Sequence, residues 1–295
     1  MIFSVPDCWS DSLHQHKLYF DTRVRRNLAR FGAHLTKNEL KFVTANLPKI
    51  RDGAESDFRF LQEEYEELTK RFKLATRKKS KDALASIFDY DTFSKKHRRD
   101  WCAYKLCQKI KSLTCPYCNL AYNAVLFRGK DGLLRPSLDH FLDKSNYPMF
   151  ALSLGNLIPS CHHCNSTLKG ITDFFLEEHL NPLNSVENIQ FSLNVSAREV
   201  RANLKLLESA EVVLDAVTAC HKTVRSLKTF ALTERYQFLS DEIKSIAKFM
   251  ADGPTDPALK TIHRAMALRG VDEINYKDRI LGKMIMDFAK KYIQE

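Results

Sequence analysis

Glycine and proline are both scarce, with 9 of each among 295 residues. They are the residues least compatible with a helix interior, so their shortage leans the chain toward helix. Long apolar runs are missing too. None approaches the roughly 20 residues that a membrane-spanning helix needs, which excludes a helical membrane protein. The N-terminal "MIFSVPDCWSDS" has neither a basic stretch nor a long apolar one, so no signal peptide is read and a cytoplasmic protein is expected. Internal repeats and low-complexity tracts are absent. The length and the lack of a signal sequence argue against a secreted disulfide scaffold, although 8 cysteines are present.

What is there begins with charge. The net charge is +10, and it is unevenly spread. Residues 1–100 carry 21 Lys/Arg against 15 Asp/Glu, residues 101–170 carry 8 against 3, and residues 171–295 carry 17 against 18. A basic excess in the first 170 residues suggests a polyanion partner; a surface tuned for solubility explains the same total. With 44% hydrophobic residues, the chain has enough apolar material for one large domain or two smaller ones.

The first hundred residues read mainly as helix. Thr36 and Glu39 of "TKNE" form a capping box, with Pro48 stopping the run that follows. From Glu55 to Lys79, Phe58, Leu61, Tyr65, Leu68 and Phe72 recur at helical spacing and make one apolar face. Residues 95–113 read as another helix, with Trp101, Leu106 and Ile110 turned inward. "HRR" at 97–99 and "RKKSK" at 77–81 are basic enough to meet a nucleic-acid backbone, or simply to face solvent. Between 115 and 170 the texture changes to two strands around "GKDG", and "ENIQFSL" (187–193) reads as another short strand. Helix is expected again from Arg198 to Met250. A further helix is capped by Thr255 or Asp256, has Pro257 near its start and stops at Gly270, and a last one lies at the C-terminal end. The expected fold class is α+β and mainly α-helical: a helical region over 1–113, a small mixed module over 114–195 and a helical region over 196–295.

Four of the cysteines form two C-x-x-C pairs, Cys115 and Cys118 in "CPYC" and Cys161 and Cys164 in "CHHC". Each pair is a knuckle that presents two thiolates to one ion, and two knuckles complete a tetrahedral sulfur site suited to Zn²⁺. A closed site of this kind has no open coordination position, so the zinc is expected to be structural. Chance pairing of buried thiols is the bland alternative. His162 and His163 read as bystanders, since the sulfurs already fill the ion. The 42 residues between the knuckles must hold a substructure.

Inside that loop, "SLDHFLDKSNYP" places Asp139 and His140 at the end of an expected strand. Asn156 follows in "LGNLIPSC", and Asn165 comes directly after the last knuckle cysteine. The order C-x-x-C, D-H-F-x-x-K-S-x-Y-P, N-L-I-P-S-C-x-x-C-N over 115–170 resembles the HNH endonuclease family in its zinc-knuckle version. The resemblance implies a ββα-metal fold around one divalent ion, Mg²⁺ or Mn²⁺. It implies Asp139 and Asn165 as ligands of that ion, His140 as general base, and Asn156 as the residue holding the loop that orients His140. With Asn at the last motif position, the resemblance implies an H-N-N variant. The family's common ending is C-N-x-x-K-G, whereas "CNSTLKG" has three residues between Asn165 and Lys169.

Phosphodiester hydrolysis needs an activated water and a cation against the developing charge. A neutral imidazole and a hard, oxygen-ligated cation supply them. Lys144, Lys169, Arg128 and Arg135 lie within the module as possible phosphate contacts, each with a solvated side chain as the alternative. The expected function is metal-dependent cleavage of DNA, with RNA, including tRNA, as the alternative substrate. The resemblance extends to effector nucleases of anti-phage systems of the Septu kind, which implies an ATPase partner protein. The competing class is a zinc-knuckle nucleic-acid-binding or interaction module without catalysis. It needs the cysteines and the basic charge, but not Asp139, His140 and Asn165 together.

Overall fold

The computed structural model describes residues 2–96, 100–252 and 257–293. Helices α1 (Leu13–Phe31), α2 (Lys37–Asp52), α3 (Glu55–Thr69) and α4 (Leu74–Ile87) lead, followed by the short α5 (Tyr90–Ser94) and α6 (Ala103–Cys107). Four strands come next: β1 (Leu126–Arg128), β2 (Asp131–Leu134), β3 (Ser137–His140) and β4 (Leu157–Ser160). Then come β5 (Ile189–Leu193), α7 (Ala197–Ala202) and β6 (Val212–Ala216). The chain closes with α8 (His221–Thr229), α9 (Leu232–Gln237), α10 (Ser240–Ala251), α11 (Pro257–Leu268) and α12 (Gly282–Tyr292). The strands form three antiparallel pairs, β1 with β2, β3 with β4 and β5 with β6. The class is α+β and mainly helical, as expected.

Thr36 caps α2: its Oγ1 accepts from the Glu39 N–H at 3.3 Å, and Glu39 Oε2 accepts from the Thr36 N–H at 2.8 Å. Pro48 does not stop this helix. It lies within α2, which runs on to Asp52, where the Gly53 N–H reaches the Lys49 carbonyl at 2.8 Å. A proline costs a helix one donor and crowds one carbonyl, and here both losses fall in the last turns before a glycine. The 55–79 stretch breaks after Thr69, whose hydroxyl bonds back to the Tyr65 carbonyl at 2.8 Å. Residues 95–113 are not one helix. Among the described residues only α6 is helical there, because Cys102 is extended (φ −155°) while the Trp101 indole N–H docks on His16 Nδ1 at 3.2 Å. The basic triplet 97–99 and the proposed caps Thr255 and Asp256 lie outside the described residues. The helix expected over 198–250 is interrupted by β6, whose Val212 and Leu214 turn inward with a period of two; β-branched neighbours favour that choice.

One continuous core runs from Ile2 to Tyr292, so the three regions fold on each other. The Ile2 N–H donates to the Pro116 carbonyl at 2.9 Å, and the Trp9 indole N–H to the Leu157 carbonyl at 2.9 Å. Arg59 of α3 donates to the carbonyls of Phe174 and Phe175 at 2.6 and 2.7 Å. Gly155 lets the loop before β4 touch the α2–α3 junction: a Cβ there would lie 2.3 Å from the Gly53 carbonyl oxygen. Among the described residues, no helix is long and apolar enough to cross a membrane.

Two buried imidazoles away from the motif residues make the fold acid-sensitive. His16 Nε2 meets the Leu152 carbonyl at 2.7 Å, and His179 stacks on Phe174 at 3.8 Å. Burial holds each imidazole down to about 4. Unfolded histidine titrates near about 6.5, so between those values the unfolded chain binds more protons than the folded one. Their contribution is therefore complete above that window and is lost as pH falls through it. Thermal melts should give a lower Tm at about pH 5 than at about pH 7. An unchanged Tm would contradict this.

Candidate functional site

The four knuckle sulfurs lie within 4.8 Å of one another, and Cys118 Sγ and Cys161 Sγ are 3.9 Å apart. Tetrahedral zinc with Zn–S bonds of about 2.3 Å needs sulfurs about 3.8 Å apart, so the group fits this ion. Backbone amides support the sulfurs: the Leu120 N–H points at Cys118 Sγ (3.4 Å) and the Cys164 N–H at Cys161 Sγ (3.5 Å). Asn119 takes the left-handed conformation (φ 53°) that ends the first knuckle. Its side-chain oxygen accepts from the Lys283 N–H at 3.0 Å, which clips α12 to the knuckle. Arg235 of α9 reaches Cys164 Sγ at 3.4 Å. Burial works against the Arg235 charge, yet the Cys118 and Cys164 sulfurs beside it keep its pKa above the ordinary arginine value. With a dication bound, a guanidinium there would offset the surplus negative charge of four thiolates.

Strands β3 and β4 pair with His140 opposite Leu157 and Asp139 opposite Ile158. The chain then passes through Cys161 and winds His163–Lys169 as a π-helix, with the Gly170 N–H reaching the Asn165 carbonyl at 3.3 Å. A π turn holds one residue more than an α turn. Strands β3 and β4 and this helix lie beside the four-cysteine group, which could hold a metal such as zinc.

Asn156 is buried and spans the loop above β3. Its Oδ1 accepts from the Leu142 N–H at 2.7 Å, and its Nδ2 donates to the carbonyls of Leu142 (3.0 Å) and Phe150 (3.2 Å). That loop positions the Ala151 carbonyl 3.0 Å from His140 Nε2. A carbonyl only accepts, so Nε2 carries the proton and Nδ1 the lone pair. The Tyr90 ring meets the imidazole edge-on at 4.3 Å. Burial holds the His140 imidazole down to about 3, with Ala151 opposing and the charges of Lys169 and Lys144 adding to the effect.

Asp139 and Lys169 depart from expectation. Lys169 does not face a phosphate: it is buried, and its ammonium bonds Asp139 Oδ1 at 2.7 Å and Oδ2 at 3.0 Å, together with the His140 and Phe141 carbonyls. The Tyr117 hydroxyl donates to Asp139 Oδ2 at 2.6 Å. Asn165 is half-buried, and its amide donates to Ser166 Oγ at 3.3 Å. As they stand, Asp139 and Asn165 do not fit a divalent ion, because a lysine already holds both carboxylate oxygens. Replacing Lys169 by methionine leaves the carboxylate of Asp139, only 3% exposed, without its counter-ion. The loss should be about 3–5 kcal/mol. Adding Asp139→Asn should recover most of it in urea denaturation; equal losses in the single and double variants would contradict the pairing.

Lys144 remains close to His140, 5.6 Å from the centre of the Tyr90 ring and 3.1 Å from Asp91 Oδ1. Arg128 is exposed on β1. Arg135 is a tether: it donates to the Pro136 carbonyl at 2.8 Å and lies over the Tyr104 ring at 5.3 Å. His162 and His163 are exposed beside the knuckle. Sequence reasoning missed Tyr117, Tyr90 and Arg235. Tyr117 alone left a local signal, sitting between the two sulfurs of "CPYC". Compared with protein-family models, characterised proteins and solved structures, the chain matches none.

Proposed function

We propose that this chain hydrolyses phosphodiester bonds in nucleic acid, DNA first and RNA as the alternative, with His140 as general base. The observation that carries the reading is the polarised imidazole: Nε2–H is committed to the Ala151 carbonyl and Nδ1 keeps its lone pair. In the reaction the water oxygen bonds to phosphorus while its proton passes to Nδ1. The bond from phosphorus to the leaving oxygen breaks, and that oxygen takes a proton from solvent. At neutral pH the buried ring is uncharged with Nδ1 able to accept, and a phosphate anion beside it offsets the burial that otherwise disfavours the imidazolium. Lys144, which pairs with Asp91 at 3.1 Å, is a cation whose charge reaches this ring. No step is assigned to a divalent ion.

A second reading, a zinc-stapled nucleic-acid-binding module without catalysis, is favoured by one observation, the closure of Asp139 under Lys169. Plasmid DNA and total RNA, digested side by side with and without added Mg²⁺ or Mn²⁺, separate the two. Cleavage that disappears in His140→Ala supports the first reading. Binding without cleavage under every condition supports the second.

A further inference from the structure

Away from the knuckles, an open cleft of about 940 Å³ lies between α1, the start of α6 and the β1–β2 hairpin. Its volume is at the upper end of the about 300–1,000 Å³ typical of small-ligand sites. The lining is basic and aromatic. Arg26 comes from α1, Lys109 follows α6, and Lys130 lies in the hairpin turn, while Asp100 is the one carboxylate among the lining residues. Arg23 also lines it but is committed to Asp89 at 2.8 Å. Tyr19, Trp101 and Phe127 supply the aromatic surface.

Trp101 is held in place from behind. Its indole N–H donates to His16 Nδ1 at 3.2 Å, and His16 Nε2 donates to the Leu152 carbonyl at 2.7 Å. The polar edge of the indole is thus satisfied inside the protein, which leaves ring surface for the cleft. The Lys109 ammonium lies 6.0 Å from the ring centre. The cleft is linked to the proposed base through three ring contacts in the core. Tyr19 packs on Phe93 at 5.2 Å, Phe93 on Tyr90 at 6.0 Å, and Tyr90 on the His140 ring at 4.3 Å. Cations flanking an aromatic face suit a strand whose bases are free to stack; the bases of a duplex are already stacked on each other.

We propose that this cleft binds unpaired nucleotides of a single strand, with a base stacked on Trp101 and phosphates on Arg26, Lys109 and Lys130. The proposal deepens the nuclease reading by naming the form of its substrate, and it rests on that reading only for what happens to the strand once bound. Binding is therefore measured without turnover. Labelled oligodeoxythymidylate, oligouridylate and a blunt duplex of equal length are titrated by fluorescence anisotropy against His140→Ala protein with no added divalent ion. Single strands should bind more tightly than the duplex. Adding Trp101→Ala should weaken single-strand binding about 5- to 150-fold, the loss that one base stack represents, while Trp101→Phe keeps most of the affinity. Arg26→Ala with Lys130→Ala, both exposed positions, should lower affinity and reduce the slope of log affinity against log salt by about 1–2.

Tighter binding of the duplex would overturn the proposal. So would unchanged affinity and salt slope in the Arg26/Lys130 variant, a result that does not depend on how Trp101 variants fold. The two readings fail separately. If wild-type protein cuts nothing yet single strands bind as described, the nuclease reading falls and the cleft stands. If wild-type protein cuts and the cleft variants bind as before, the cleft falls and the nuclease reading stands.

Discussion

Cys118→Ser should lose the metal and most of the native fold. The four sulfurs are close enough to share one ion, and three of the four cysteines are buried. A structural zinc of this type contributes about 10–16 kcal/mol of apparent binding free energy in small peptides. A whole domain is stable by only about 5–15 kcal/mol, so the loss is comparable to the entire stability. It also spreads. Pro116 of the first knuckle anchors the N-terminal segment through Ile2, Asn119 anchors α12, and Cys161 directly follows β4. Elemental analysis of metal-washed wild-type protein should give about one zinc per chain. The variant should have none and should lack a cooperative melt. A Cys118→Ser protein that melts like wild type would remove zinc from the account.

The parts legible in the sequence were those set by neighbours in the chain. The knuckles are local turns of four residues, the Thr36 capping box closes over three, and β5 shows its alternation over five. Asn156, expected from the sequence to hold the loop near His140, makes three hydrogen bonds to Leu142 and Phe150. The parts that were not legible depend on distant partners. Trp101 leaves the helical pattern because His16, from α1, takes its indole N–H. β6 is a strand because β5 offers it an edge, although its apolar residues lie in a region of helical rhythm. Lys169 was read as a phosphate contact, since nothing nearby in sequence shows that the π-helix folds it back under β3 onto Asp139. Tyr117 reaches the same carboxylate from the first knuckle. Strands were expected on either side of "GKDG", but the pairing of β3 with β4 and the contacts that occupy Asp139 were not readable.

His140→Ala should separate chemistry from fold. Removing the imidazole strips the Ala151 carbonyl of its donor, which costs about 1–3 kcal/mol, a loss a folded domain can survive. It touches none of the four sulfurs, so zinc content should match wild type. General-base catalysis is typically worth about 10²–10⁴-fold, and cleavage should fall by at least that order. Asn156→Ala should act less directly. It leaves the imidazole present but frees the loop that carries the Ala151 carbonyl, so the rate should fall while some general-base function persists.

The most direct measurement is the single-turnover cleavage rate of DNA and RNA by wild-type and His140→Ala proteins, matched for zinc content and for native circular dichroism. The account predicts cleavage by wild type and a rate lower by about 10²-fold or more in the variant. Equal rates in the two proteins, or no cleavage of either nucleic acid by wild type, would contradict His140 as the base of a phosphodiester hydrolase.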